Sequence, residues 1–165
     1  MGPEFNLSTW CDTWLKSSGS NILEPLVEIN PDGTLKSLKL KQLCSLRGQN
    51  RLRKQKLNIA IFEKAFVKGD SPFVIENIVI SESDEVTDID ISKLPSDFVF
   101  GAVNVNHEDH AYAKTRFDSH SIEWFTQNLH QITHTLTRAS IWRHFWLLVV
   151  DKKMKSVDFM NFVLK

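Results

Sequence analysis

Cysteine is scarce. Cys11 and Cys44 are the only two in 165 residues. Two thiols cannot build a disulfide scaffold, and no Cys-x-x-Cys pair is present for redox exchange or metal binding. They read as free, partly buried thiols of a reducing compartment, which favours a cytoplasmic setting. An excess of charge is also missing: 20 Lys and Arg balance 20 Asp and Glu. A generally cationic nucleic-acid binder is thereby excluded, because phosphate contacts need a net basic face. No apolar run reaches the roughly 18 residues of a membrane span. The opening Met1-Gly2-Pro3-Glu4-Phe5 lacks the basic and apolar segments of a signal peptide and reads as a cloning scar. There is no Gly-rich phosphate loop, no Gly-x-Ser-x-Gly elbow and no His-Glu-x-x-His helix.

What remains is ordinary globular material, 42% hydrophobic and 24% charged. A chain this long buries roughly 70% of its unfolded surface, enough for a real core. The pattern divides it into three parts after residues 1–5. Residues 6–20 carry Leu7, Trp10, Cys11, Trp14 and Leu15 at helical spacing, with Ser8 as the expected cap and Gly19 as the stop. About ten helical residues are marginal alone, so this helix needs something to pack on.

Residues 21–117 read as strands. Leu26–Asn30 alternates, Pro31-Asp32-Gly33-Thr34 turns, and Leu35–Leu40 returns as the second arm of a hairpin. Further strands are expected at Leu57–Glu63, Phe73–Ile80 and around Val86–Ile91, where Val86 is out of phase with Ile89 and Ile91. Phe98–Val105 is apolar on both faces, as a central strand is. Six or seven short strands without intervening helices predict an antiparallel β-sandwich.

Residues 118–165 read as helices. Asp118 or Ser119 caps a helix with Ile122, Phe125 and Leu129 inward and Trp124 beside that stripe. A second helix spans Leu136–Val150, with Trp142 and Trp146 one turn apart. Ser156 is the expected cap of a third, short helix presenting Val157, Met160 and Val163. The fold class is therefore mixed, β then α: one short helix, a sandwich, then about three helices of a truncated helical domain.

Charge is segregated within the neutral total. Lys36 to Phe62 holds eight bases (Lys36, Lys39, Lys41, Arg47, Arg51, Arg53, Lys54, Lys56) and no acid. Glu76 to Asp97 holds seven acids and one base, Lys93. Neighbouring strands with complementary solvent faces account for this. The alternative is a basic loop, Arg47 to Lys56, meeting an anionic partner, but it lacks the aromatics that single-strand stacking requires.

All six histidines lie beyond residue 106: His107, His110, His120, His130, His134 and His144. His107-Glu108-Asp109-His110 is one residue short of the zinc-helix spacing and has loop composition. His130 and His134 have i,i+4 spacing but no Glu between them, and read as surface residues at a helix C-terminus. Asp109, Asp118 and Tyr112 form no working acid–base set. Asp118 is expected to cap and Tyr112, the single tyrosine, to sit in the core. No catalytic, cofactor-binding or metal-ligating residue is assigned.

Four segments carry a resemblance. Leu94–Asp118 runs from a strand ending in Asn, through an acidic turn, to Tyr112-Ala113-Lys114-Thr115-Arg116-Phe117-Asp118. Leu136-Thr137-Arg138-Ala139-Ser140-Ile141-Trp142 follows it. Upstream stand Trp14-Leu15-Lys16-Ser17-Ser18-Gly19-Ser20-Asn21-Ile22-Leu23 and Leu52-Arg53-Lys54-Gln55-Lys56-Leu57-Asn58-Ile59-Ala60-Ile61-Phe62. In this order and spacing they resemble the zinc aminopeptidases of the aminopeptidase N family.

The resemblance implies that residues 6–20 end a catalytic domain, that 21–117 form the β-sandwich domain, and that 118–165 begin the C-terminal helical domain. It also implies what this chain lacks: the zinc helix, the Gly-Ala-Met-Glu-Asn substrate motif and the catalytic tyrosine all belong upstream. The chain is then expected to be a non-catalytic linker of a peptidase that removes N-terminal residues from peptides. Its partners would be the parent's flanking domains, with peptide reached only through the parent, zinc held elsewhere, and no nucleic acid or membrane span. The alternative is a standalone interaction module of the same descent. Uncovered apolar helices would then favour self-association.

Overall fold

A computed structural model describes residues 6–46 and 50–164. The cloning-scar reading of residues 1–5 and Arg47 of the basic stretch lie outside the described residues. Helix α1 (Leu7–Trp14) comes first. Seven strands follow: β1 (Asn21–Ile29), β2 (Leu35–Cys44), β3 (Gln55–Glu63), β4 (Phe73–Ile80), β5 (Val86–Ile89), β6 (Phe100–His107) and β7 (Ala113–Thr115). Helices α2 (Ser119–Asn128), α3 (Thr135–Val150) and α4 (Ser156–Val163) close the order, with a 3-10 turn at Leu129–Gln131.

The strands form two sheets, β5-β2-β1-β7 and β4-β3-β6. All pairings are antiparallel except β1 with β7, which is parallel over Asn21–Leu23 and Ala113–Thr115. The β1–β2 hairpin turns where the residue types demand it. Gly33 sits at φ +87°, and Asp32 accepts from the Thr34 amide at 2.9 Å.

Alternation along β3 builds two cores from one strand. Ile59 and Ile61 face the opposite sheet, meeting Leu23, Leu38 and Leu40 there, beside Val103 and Val105 of the neighbouring β6. Ala60 and Phe62 face the other way, against Trp124, Phe125, Ile141 and Phe145 of the helices. The molecule is thus sheet on sheet on helices. Strand β6 is buried at every position, as its two-sided apolar pattern predicts. It is an edge strand of the β4-β3-β6 sheet and not the central strand expected, because the helices rather than another strand cover it.

The close approach of α2 to β6 depends on Gly101. A Cβ there would lie 2.6 Å from Trp124 Nε1 and 2.7 Å from the Glu63 carbonyl. Trp124 takes that space and donates to the Lys64 carbonyl at 3.2 Å.

Several expectations need correction. Asn6, not Ser8, caps α1, accepting from the Thr9 amide. Trp124 belongs in the core at 6% exposure, whereas Ile122 is only partly buried. Ring bulk decides this, because Trp124 fills the notch over Gly101. Helix α4 has no side-chain cap at Lys155, and Ser156 is its first helical residue. Its buried face is also inverted. Phe159 and Phe162 pack on Trp142 and Phe145, while Val157, Met160 and Val163 face solvent. Tyr112 is 74% exposed, with its ring T-shaped to that of Trp14 at 6.4 Å, and does not sit in the core.

Candidate functional site

Two junctions frame the sandwich. The first holds α1 to the sheets through one buried cation. Arg53 precedes β3 and is 1% exposed. Its Nε donates to the Thr13 carbonyl at 3.1 Å, in the last turn of α1. Its fork donates to Asn21 Oδ1 at 3.1 Å, to Ser17 Oγ at 2.9 Å and to the Ser18 carbonyl at 3.4 Å. The guanidinium carbon lies 5.1 Å from the centre of the Trp14 ring. Helix-end carbonyls carry partial negative charge, so a cation here is compensated without a carboxylate. Asn21, fully buried, in turn donates to the Arg51 carbonyl at 2.8 Å.

Arg53 is therefore not part of a free basic loop; Arg51, Lys54 and Lys56 remain exposed. The complementary-strand reading of the charge pattern is seen where Lys39 faces Asp88 across β2 and β5, 2.9 Å apart.

The second junction joins the sandwich to the helices. Asp118 caps α2 as expected, accepting from the Ser121 amide at 3.0 Å and the Ser121 hydroxyl at 2.5 Å. Arg116 pairs with Glu24 of β1, and its amide donates to the Leu23 carbonyl at 2.9 Å. Phe117 is buried against Phe125 and Phe145. The segment from Ala113 to Asp118 thus leaves the sheet and starts the helices within six positions.

The end of β6 and the turn after it carry left-handed residues: Asn106 of the strand and Glu108 and Asp109 of the turn have φ of 60°, 65° and 59°. Asn106 braces it, exchanging hydrogen bonds of 2.8 Å with Ala111 in both directions. Here the turn scatters the residues that resembled a metal cluster. His107 turns inward; His110 pairs with Glu108 at the surface, 3.2 Å away; Asp109 holds Arg143 of α3 at 2.8 Å. Among the described residues, no three His, Cys, Asp or Glu come together in a way that could hold a metal ion. The residues present do not fit a zinc site.

His130 and His134 do not share a helix face. His130 lies in the 3-10 turn, and His134 caps the N-terminus of α3 rather than a helix C-terminus. Its Nδ1 accepts from the Thr137 amide at 3.3 Å and lies 2.8 Å from Thr137 Oγ1. An accepting Nδ1 places the proton on Nε2. The Thr137 hydroxyl then donates to His134 and accepts from His107 Nδ1, 3.5 Å away. Burial, with the nearby charges of His134 and His110, holds the His107 pKa below the usual imidazole value against the pull of Glu108. His107 and His134 line an open groove of about 410 Å³ with Phe62, Val74, Ile132 and Thr137.

Sequence reasoning missed Arg53 and His144. His144 of α3 is 2% exposed and bonds the Thr115 hydroxyl of β7. The Phe117 ring stands edge-on to it at 5.2 Å, and His144 Nδ1 has no partner. Burial, and secondarily Arg143, push its pKa down to about 4. The available signal was the position of His144 between Ile141, Phe145 and Leu148 on the buried face of α3.

No family model matches the chain. A curated protein described as Aminopeptidase N, from Streptomyces lividans, is 27% identical over 168 residues, covering 96% of this chain. The relationship to aminopeptidase N is distant. The chain spans 19% of that relative's length, about one-fifth of it. The matched span includes both junctions. Trp14–Asn21 meets Arg53 at the first. At the second, residues 113–118 meet β1 and α2, and His144 of α3 reaches Thr115. No helix among the described residues is long and apolar enough to cross a membrane.

Proposed function

We infer that the chain is the connecting β-sandwich of an aminopeptidase N-like protein, bearing no catalytic group of its own. The observation that carries this reading is the exposed apolar surface on the helices that precede and follow the sandwich strands in the chain. Leu7, Trp10 and Leu15 of the α1 region are exposed on one side of the chain order. Val157, Met160, Val163 and Leu164 at α4 are exposed on the other. Such faces mark surfaces that other protein covers. The match to about a fifth of a longer aminopeptidase N supports the same reading.

In this reading the parent removes N-terminal residues from peptides, and its zinc is held by residues outside this chain. The sandwich sets the spacing between flanking domains, and Arg53 fixes the angle at which α1 enters. Should the native protein be this chain alone, the same apolar faces would instead receive a partner or a second copy.

Incubation of the purified chain with aminoacyl amide substrates, with and without added zinc, tests the non-catalytic part. No turnover is expected. Chelator-sensitive release of an N-terminal residue would overturn it.

A further inference from the structure

Two buried imidazoles tie α3 to the sandwich, and burial disfavours the charged form of each. His144 reaches Thr115 of β7 from a pocket walled by Phe117, with its Nδ1 unpartnered. A proton added to Nδ1 would be a buried donor with no acceptor, in apolar surroundings. His107, at the end of β6, is 8% exposed and meets α3 through Thr137. The His134 ring is 6.2 Å from it.

We propose that the sheet–helix junction is an acid-sensitive joint, in which protonation of His144 and His107 releases α3 from the sandwich while the two sheets stay paired. The core between the sheets is filled by Leu23, Leu40, Ile59, Ile61, Val103 and Val105.

The charged groups around the two imidazoles do not cancel this effect. From the turn after β6, Glu108 favours a charged His107, but it is already engaged by His110 and Asn58. His110 and His134 oppose it. Asp70, across the groove, accepts from the Val67 amide at 2.8 Å. Around His144, Arg143 opposes the charge and Asp109 favours it, and these two are paired with each other.

The sign follows from proton linkage. The undocked state binds the proton with an ordinary imidazole pKa near 6.5, whereas docked His144 does so at about 4. Docking is therefore undisturbed above about pH 7. It weakens as pH falls from about 6.5 towards 4, by up to about tenfold per pH unit for each proton taken up.

Hydrogen exchange of the whole chain, corrected for intrinsic rates and read by mass spectrometry from pH 7 to 4.5, tests the joint. Peptides from α3 are expected to lose at least tenfold protection by pH 5, while β3 and β6 keep theirs. The double variant His107→Gln and His144→Gln is expected to remove the pH response. Should that variant not fold, the imidazole titrations of the wild-type chain decide by NMR: His144 must titrate well below 6, in step with α3 exchange. Loss of protection in both layers together, a pH response that survives the double variant, or a His144 titrating near 6.5 would each overturn the proposal.

Discussion

Arg53 stands over Trp14: its guanidinium carbon is 5.1 Å from the ring centre, and its Nε donates to the carbonyl of Thr13, the residue before that tryptophan. One side chain thus holds both the face and the C-terminal end of α1. Its other bonds run to Ser17, Ser18 and Asn21, so helix, linker and first strand share one donor. Replacing Arg53 with Met is expected to cost about 3 kcal/mol, because Asn21 Oδ1 and two carbonyls lose a charged donor. Lysine cannot restore the fork and is expected to recover less than half. A double-mutant cycle with Trp14→Ala, read by denaturant unfolding, is expected to show coupling of about 1 kcal/mol. Additive single effects would separate the two residues.

Gly101→Ala is expected to destabilise by about 2–3 kcal/mol. The new methyl would meet Trp124 Nε1 at 2.6 Å and the Glu63 carbonyl at 2.7 Å, and the second of these is backbone that cannot turn aside. A thermal melt checks this. An unchanged midpoint would mean that α2 is not seated on β6 as described.

Neighbouring aromatic positions of one motif should differ sharply. Tyr112 is 74% exposed and Phe117 is 8% exposed. Tyr112→Ala is therefore expected to stay within about 0.5 kcal/mol of the parent. Phe117→Ala is expected to lose about 3–5 kcal/mol. Denaturant midpoints of the two variants, measured side by side, decide it; equal losses would restore the core role that the sequence suggested for Tyr112.

The inverted face of α4 makes a similar contrast. Phe162 stacks within 4.5 Å of Trp142 and 4.7 Å of Phe145, whereas Met160 is 61% exposed. Phe162→Ala is expected to cost about 3 kcal/mol and Met160→Ala under about 0.5. Far-ultraviolet melts of both variants report which face is docked.

Strands and long helices were legible because their burial is periodic. β4 spans the Phe73–Ile80 run expected for it, and the two-sided apolar run at β6 became the edge strand between two cores. β7 was not legible. Ala113-Lys114-Thr115 has no strand pattern of its own and exists because β1 offers a free edge. The face of α4 was ambiguous because Val157, Phe159, Met160, Phe162, Val163 and Leu164 leave almost no polar side, and ring size on α3 made the choice. Arg53 looked like one base among eight. Its acceptors lie 32 to 40 residues away in the chain, and no local pattern announces a contact of that kind. His144 was hidden similarly, by a partner 29 residues upstream. Non-local polar contacts, rather than apolar periodicity, are what the one-dimensional pattern conceals.

The central claim is that this sandwich connects parts of a larger aminopeptidase N-like protein. An antibody raised against the chain, used to size the native protein in its source cells, tests it most directly. The account predicts a band several times larger than 19.0 kDa. A native protein of about 19.0 kDa would contradict it, and the exposed faces of α1 and α4 would then belong to an independent module and its partner.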